Sequence, residues 1–332
     1  MIVIEKAILH ILDLSSGTTV YSDGLLPIEG MVETFLMKHI EKTAGSQEAK
    51  KGRFYEDSAF KSLFLSYLQE EVDFISFSKE ITHILEDAFT HTEDMMSMDI
   101  IVCDAYIDDC RKLVVFKCNN HTGYVHQVSN TGAGIQNEIV HYYSMLPNLT
   151  QKMEEYVYVD AGTLDICFVG KRYVLDGNST FVFPEVFLEC EQAHSQKEAV
   201  KSITRAAMQV AEEFGQDQVA AAAAAKNCIA ETMEQSEELD LRELGGQIFK
   251  ENPAMRAEYE SKVLEDGYHE PVQMNREATI KSVCKHKLKT DTGIELTIPT
   301  SYFDNTEYVE FYSDEDGSLS ITLKHISNII NH

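Results

Sequence analysis

Residues 98–120 read MDIIVCDAYIDDCRKLVVFKCNN, two apolar runs rich in β-branched residues on either side of the polar stretch IDDCR. That pattern predicts a β-hairpin, and two hydrophobic strands joined so closely commit the chain to an antiparallel sheet. Residues 156–175, YVYVDAGTLDICFVGKRYVL, repeat the form with Asp160-Ala161-Gly162 at the turn. Ahead of them, EGMVETFLMKHIEKT and SAFKSLFLSYLQEEVDFISFSKEITHILEDAF carry apolar residues at three- and four-residue intervals, the mark of amphipathic helices. The intervening TAGSQEAKKGRFYEDS is polar and glycine-containing and reads as a loop. A short strand opens the chain. The expected first domain, residues 1–195, is therefore α+β with antiparallel hairpins.

Helices return in the expected second domain, residues 196–332. HSQKEAVKSITRAAMQVAEEFG opens on a capping box, Ser195 with Glu198, and meets a glycine stop at Gly215. QDQVAAAAAAKNCIAETMEQ combines high helix propensity with small side chains that allow close packing. Asn252-Pro253 marks another helix entry. SVCKHKLKT, GIELTIPTSYF, YVEFYS and SLSITLKHI then alternate as strands, giving a small terminal antiparallel sheet of three or four strands.

A net charge of -27 repels DNA, RNA and anionic membranes unless local basic patches override it. The longest bland apolar run, Val219 to Ala225, falls far short of the roughly 20 residues of a membrane span, and no signal segment precedes Glu5 and Lys6. The expectation is a cytoplasmic protein with no membrane contact. Seven scattered cysteines without a C-x-x-C pair predict reduced, mostly buried thiols.

No catalytic or cofactor motif emerges. Cys118, His121 and His126 in CNNHTGYVHQ lack the spacing of a zinc site, and Gly132 and Gly134 in SNTGAGIQNE lack the third glycine of a dinucleotide loop. Asp99 and Asp104 ahead of VVFK suggest a metal-dependent nuclease, but Val115 stands where its second carboxylate belongs. The chain reads as a non-enzyme without cofactor or metal.

Two basic features remain as candidate contacts. Lys197, Lys201 and Arg205 lie four apart, forming one stripe on a predicted helix, either for an anion or as a solvated face paired with Glu198 and Glu212. KSVCKHKLK, residues 281–289, holds Lys281, Lys285, Lys287 and Lys289. As a strand it places Lys285, Lys287 and Lys289 about 7 Å apart on one face, opposite His286 and Leu288. The following acids Asp304, Glu307, Glu310, Asp314, Glu315 and Asp316 offer cross-strand neutralisation, so the lysine face meets either them or an external anion.

The terminal segment HKLKTDTGIELTIPTSYFDNTEYVEFYSDEDGSLSITLKHI resembles the C-terminal end of the bacterial 37-kDa nucleoid-associated protein family. IEKAILHILD, VDFISFSKEITHILED, LPNLTQKMEEYVYVD, FLECEQAHSQKEAVKSI and IFKENPAMRAEYE agree in order, so the resemblance spans nearly the whole chain. It implies a bacterial protein of the nucleoid with DNA binding and no established enzyme chemistry. The expected partner is double-stranded DNA, met directly or through DNA-processing proteins that dock on acidic runs such as ETMEQSEELDLRE. Dimerisation stays open, with the alanine-rich helix as the segment that would serve a homodimer.

Overall fold

In the computed structural model, which describes residues 1–93, 96–131, 134–289, 291–299, 302, 307–313 and 319–328, the chain divides into two units, Met1–Ala193 and His194–His332. The first contains β1 (Ile2–Asp13), β2 (Thr18–Val20), α1 (Gly30–Thr43), β3 (Lys50–Phe54), α2 (Ala59–Leu68), α3 (Phe74–Thr90), β4 (Ser97–Ile107) and β5 (Cys110–Asn119). It continues through β6 (His121–Thr131), β7 (Gly134–Met145), β8 (Glu155–Asp160), β9 (Ile166–Val169), β10 (Arg172–Leu175), β11 (Asn178–Phe181), a π-helical turn (Phe183–Phe187) and β12 (Cys190–Gln192). The α+β class expected from the sequence is the class observed.

Eight strands form one antiparallel sheet in the order β12-β3-β9-β8-β5-β4-β1-β2. Asp108 and Asp109 make the β4–β5 turn, both at positive φ (49° and 65°), the two-residue geometry whose twist matches the flanking strands. The central strands look continuously apolar because both faces are covered. Leu113 and Val115 of β5 join Phe60, Phe64, Phe77, Ile81 and Leu85 of α2 and α3 on one face. Val114, Phe116 and Cys118 join Leu36 and Ile40 of α1 on the other. Ser58 caps α2 and Asp73 caps α3, each side chain accepting from free backbone amides of the first turn.

The segment 43–58 is not a loop throughout. Its KKGRF stretch is β3, paired to β9 on one side and β12 on the other. Gly52 fits a close approach there: a Cβ would meet the Glu191 carbonyl at 3.0 Å and the Cys190 sulfur at 3.1 Å, so a larger residue pushes β12 outward.

The second unit contains α4 (Gln196–Glu213), α5 (Gln218–Gln235), β13 (Glu238–Leu239), α6 (Leu244–Ile248), α7 (Pro253–Glu265), β14 (Val272–Gln273) and α8 (Arg276–Val283). Four strands follow: β15 (Lys285–Lys289), β16 (Glu295–Pro299), β17 (Val309–Ser313) and β18 (Leu319–Leu323). The capping box of Ser195 and Glu198 forms as the sequence predicts, and Asn252 caps α7 with Pro253 in its first turn. Ile203, Val210, Ile229, Met233, Tyr259 and Val263 fill the helical core. Among the described residues the terminal strands form two separate two-stranded ladders, β15–β16 and β17–β18, in place of one sheet. Their apolar sides meet the alanine helix: Ile298 and Val309 are buried against Ala223, with Leu288, Ile321 and Val219 at the margin.

Candidate nucleic-acid interface

Lys281 lies in the last turn of α8, where its charge favours the helix C-terminus, and it is exposed. The 281–289 stretch is thus a helix end followed by a strand. Within β15, Lys285 pairs in register with Pro299, Lys287 with Thr297 and Lys289 with Glu295. The intervening position Leu288 turns to the α5 cluster together with Ile298 of β16. Strand alternation then carries the lysine positions to the opposite, outer side, and Lys285 and Lys289 are exposed. The side chains of Lys287 and His286 lie outside the described ones.

The β15–β16 register gives the neighbours of the lysine positions within the ladder. The register partners on that side are a proline, a threonine and one acid. Lys289 meets Glu295 at 3.2 Å with both side chains at least 70% exposed, a pair of the weak, salt-screened kind. Glu310 is spoken for by Lys324 across the β17–β18 ladder, not by β15. Glu307 is exposed just ahead of β17, and Asp304, Asp314, Glu315 and Asp316 lie outside the described residues. Lys285 makes no ion pair among the described residues.

The α4 stripe is differently placed. Lys197, Lys201 and Arg205 are all exposed on the side opposite the buried Ala199, Ile203, Ala206 and Val210. Arg205 donates to Asp266 Oδ2 at 2.6 Å, and Ser202 donates to the same oxygen at 2.5 Å. The carboxyl of Asp266, although partly buried, is held below its ordinary range by these donors. Lys201 stands beside that pair in a groove completed by His194, Glu198 and Tyr268. Glu198, Asp266 and Glu212 therefore border the stripe, and Asp266 neutralises Arg205. Lys226 of the alanine helix, which sequence reasoning passed over, shares a second groove with Lys201 and Arg205. Burial pushes its ammonium below the ordinary lysine range. The signal for it was the four-residue link between α4 and α5, which makes them antiparallel neighbours.

The residues weighed for other chemistry are engaged elsewhere. Asp104 accepts from Arg111 Nη2 at 2.7 Å and from Tyr67 OH at 2.5 Å. Lys117 is fully buried and donates to Glu155 Oε2 at 2.6 Å, Asn119 Oδ1 at 2.6 Å and Tyr173 OH at 3.0 Å. Glu155 thus sits on β8 directly opposite Lys117 and is its buried ion-pair partner. Asp99 is buried on the α1 face, and that burial raises its carboxyl to about 6. Cys118 is buried with its sulfur 3.7 Å from that of Met153, while His121 and His126 are exposed on β6. Cys103, Cys118, Cys190 and Cys228 are buried, and Cys110 and Cys284 are exposed. Gly132 lies outside the described residues.

No helix among the described residues is long and apolar enough to cross a membrane. The sequence matches the model of one protein family, described as nucleoid-associated protein YejK, over residues 8–331. No curated protein matches the chain.

Proposed function

Because the chain belongs to that nucleoid-associated family, we propose that it binds duplex DNA in the bacterial nucleoid, without sequence readout and without enzymatic chemistry, through the outer face of β15. The supporting observation is the direction of that face: its hydrophobic reverse is seated on α5, and in the β15–β16 register Glu295 is the one acid among the described residues paired with the lysine positions. Lys285, Lys287 and Lys289 form the contact, with Lys281 one turn upstream. Lys197, Lys201 and Arg205 contribute less because acids border them.

Titration of duplex DNA at several salt concentrations tests the reading. Contact by three or four lysines gives a slope of log affinity against log salt of roughly -2.7 to -3.6. Replacing Lys285, Lys287 and Lys289 by glutamate abolishes binding, whereas replacing Lys197 and Lys201 weakens it only a few-fold. No binding at low salt sinks the proposal, and unchanged affinity in the β15 variant rejects the assigned face.

A second reading is favoured by the charge of -27 and by the exposed acids Glu231, Glu234, Glu237, Glu238 and Glu243 on and after α5. Here the protein reaches the nucleoid by docking a basic patch of a DNA-processing enzyme. Copurification of such an enzyme that survives nuclease treatment, together with failure to bind naked DNA, favours it.

A further inference from the structure

Among the described residues β6 and β7 pair only with each other, over ten register positions, and form an arm outside the other sheets. The arm continues β5 after one residue, Asn120, whose backbone and side-chain amides bond Ser97 of β4 at 3.1 and 3.0 Å. At its root Gly123 packs closely under Met145, whose sulfur lies 2.4 Å from where a Cβ would stand, so a larger residue there displaces that side chain. No described residue from 121 to 145 is buried. At about 3.4 Å per residue the arm reaches roughly 35 Å from its root.

Its two faces differ. The register places Tyr124 beside His141, His126 beside Ile139, Val128 beside Asn137 and Asn130 beside Ile135 on one side. Tyr143 extends that side, its ring 4.3 Å from His141, which lies 4.6 Å from Tyr124. The other side holds Gln127, Ser129, Gln136 and Glu138 toward the tip and Val125, Val140 and Tyr142 nearer the root. Tyr124, Val128, Ile135, Ile139 and Tyr143 are each 61% to 80% exposed. Together they offer on the order of 700 Å² of mostly apolar surface, close to the ~800 Å² each partner gives to a standard interface. A lone two-stranded hairpin is marginal in water, and one carrying such a stripe gains stability by covering it.

We infer that a second copy of this chain covers the stripe, the two arms lying antiparallel and face to face across a twofold axis. Charge selects this occupant. The arm has no lysine or arginine and one acid, Glu138, so it offers phosphate nothing and a basic partner almost nothing. Two chains of -27 each repel over most of their surface, and their approach costs least where charge is nearly absent. The stripe is also self-complementary in the antiparallel sense: aromatic rings cluster at the root and aliphatic side chains toward the tip, so each root lies over the partner's tip. The inference does not rest on DNA binding.

Sedimentation of the full chain tests it. The expected mass is twice 37.5 kDa for the native protein. Ile135→Lys with Ile139→Lys raises the dissociation constant at least about 30-fold, as loss of central anchors does. Gln127→Lys with Ser129→Lys, on the other side, leaves the dimer intact, and the far-ultraviolet circular dichroism of both variants stays native-like because no buried residue is touched. A native monomer at micromolar concentration overturns the inference, as does a dimer that survives the Ile135/Ile139 change, which would move the interface elsewhere. A monomer whose arm binds single-stranded DNA or lipid vesicles overturns it equally.

Discussion

Lys117 is an ammonium with no access to water, held by one carboxylate, one amide oxygen, one phenol and the ring faces of Phe89 and Tyr173 at 4.9 and 5.2 Å. Burial pushes it below the ordinary lysine range while Glu155 pulls it back. Glu155→Gln strands that charge and is expected to cost about 3–5 kcal/mol. Lys117→Met with Glu155→Leu should recover most of the loss, as measured by urea denaturation. His10 gives an opposite lesson. Its Nδ1 accepts from the Ser22 amide at 3.1 Å, which assigns the proton to Nε2 beside Ser78 Oγ at 3.0 Å. Burial lowers its pKa from 6.5 to about 4. The unfolded chain therefore takes the proton first: the stability is complete well above pH 6.5 and is lost as pH falls through it toward 4, by about 3 kcal/mol. His10→Gln should flatten that part of the pH profile. Asp99 runs the other way. Raised to about 6, it is fully stabilising only below its unfolded value near 3.8 and loses that contribution as pH rises through 6. Asp99→Asn is expected to add about 3 kcal/mol at pH 7.5 and almost nothing below pH 4.

At the scale of elements, what the sequence disclosed depended on whether local pattern and tertiary demand agreed. The capping box at Ser195, the Asn252-Pro253 entry and the Asp108-Asp109 hairpin are local chemistry, and each formed where its residues stand. β3 is the contrary case. KKGRF has almost no apolar content, and it is a strand because β9 and β12 need a partner between them. Asp176-Gly177, at φ 47° and 80°, is a hairpin turn with the standard sequence signal, and it was legible but overlooked between β10 and β11. For the candidate site, the lysine alternation was readable but its neighbour was not. The acids of 304–316 looked complementary, yet the short Asp291-Thr292-Gly293 connection made β16 the nearer partner. The arm escaped notice because its alternation of Tyr, His, Val and Ile is embedded in asparagine, glutamine and glycine, which read as loop. α5 supplies the element-scale test. Ala223 is fully buried against Ile298 and Val309, so Ala223→Leu should overpack the contact and cost about 1–3 kcal/mol. Hydrogen exchange should quicken in β15–β18 before it does in α4.

Across the whole molecule, the charge of -27 separates the two proposed associations by their response to salt. DNA contact weakens as salt rises, because counterion release loses its advantage. Pairing of two like-charged chains strengthens over the same range, because screening shortens their repulsion to about 8 Å at physiological ionic strength. Parallel titrations of DNA binding and self-association should therefore give slopes of opposite sign. Slopes of the same sign would show that one surface serves both associations.

The arm also bears on how readily such a chain can change. It interrupts the connection from β5 to β8 just beyond the paired residues Lys117 and Glu155, with only Asn120 between Asn119 and its first strand. Residues 121–145 could accordingly be exchanged for a short glycine-containing turn without removing a buried side chain from among the described residues. Closing the shorter loop costs less entropy than closing the longer one. A trimmed chain should stay folded while existing as a monomer, with an unfolding temperature independent of protein concentration. Lengthening, shortening or exchanging this one hairpin would then give related chains different partners on an unaltered scaffold.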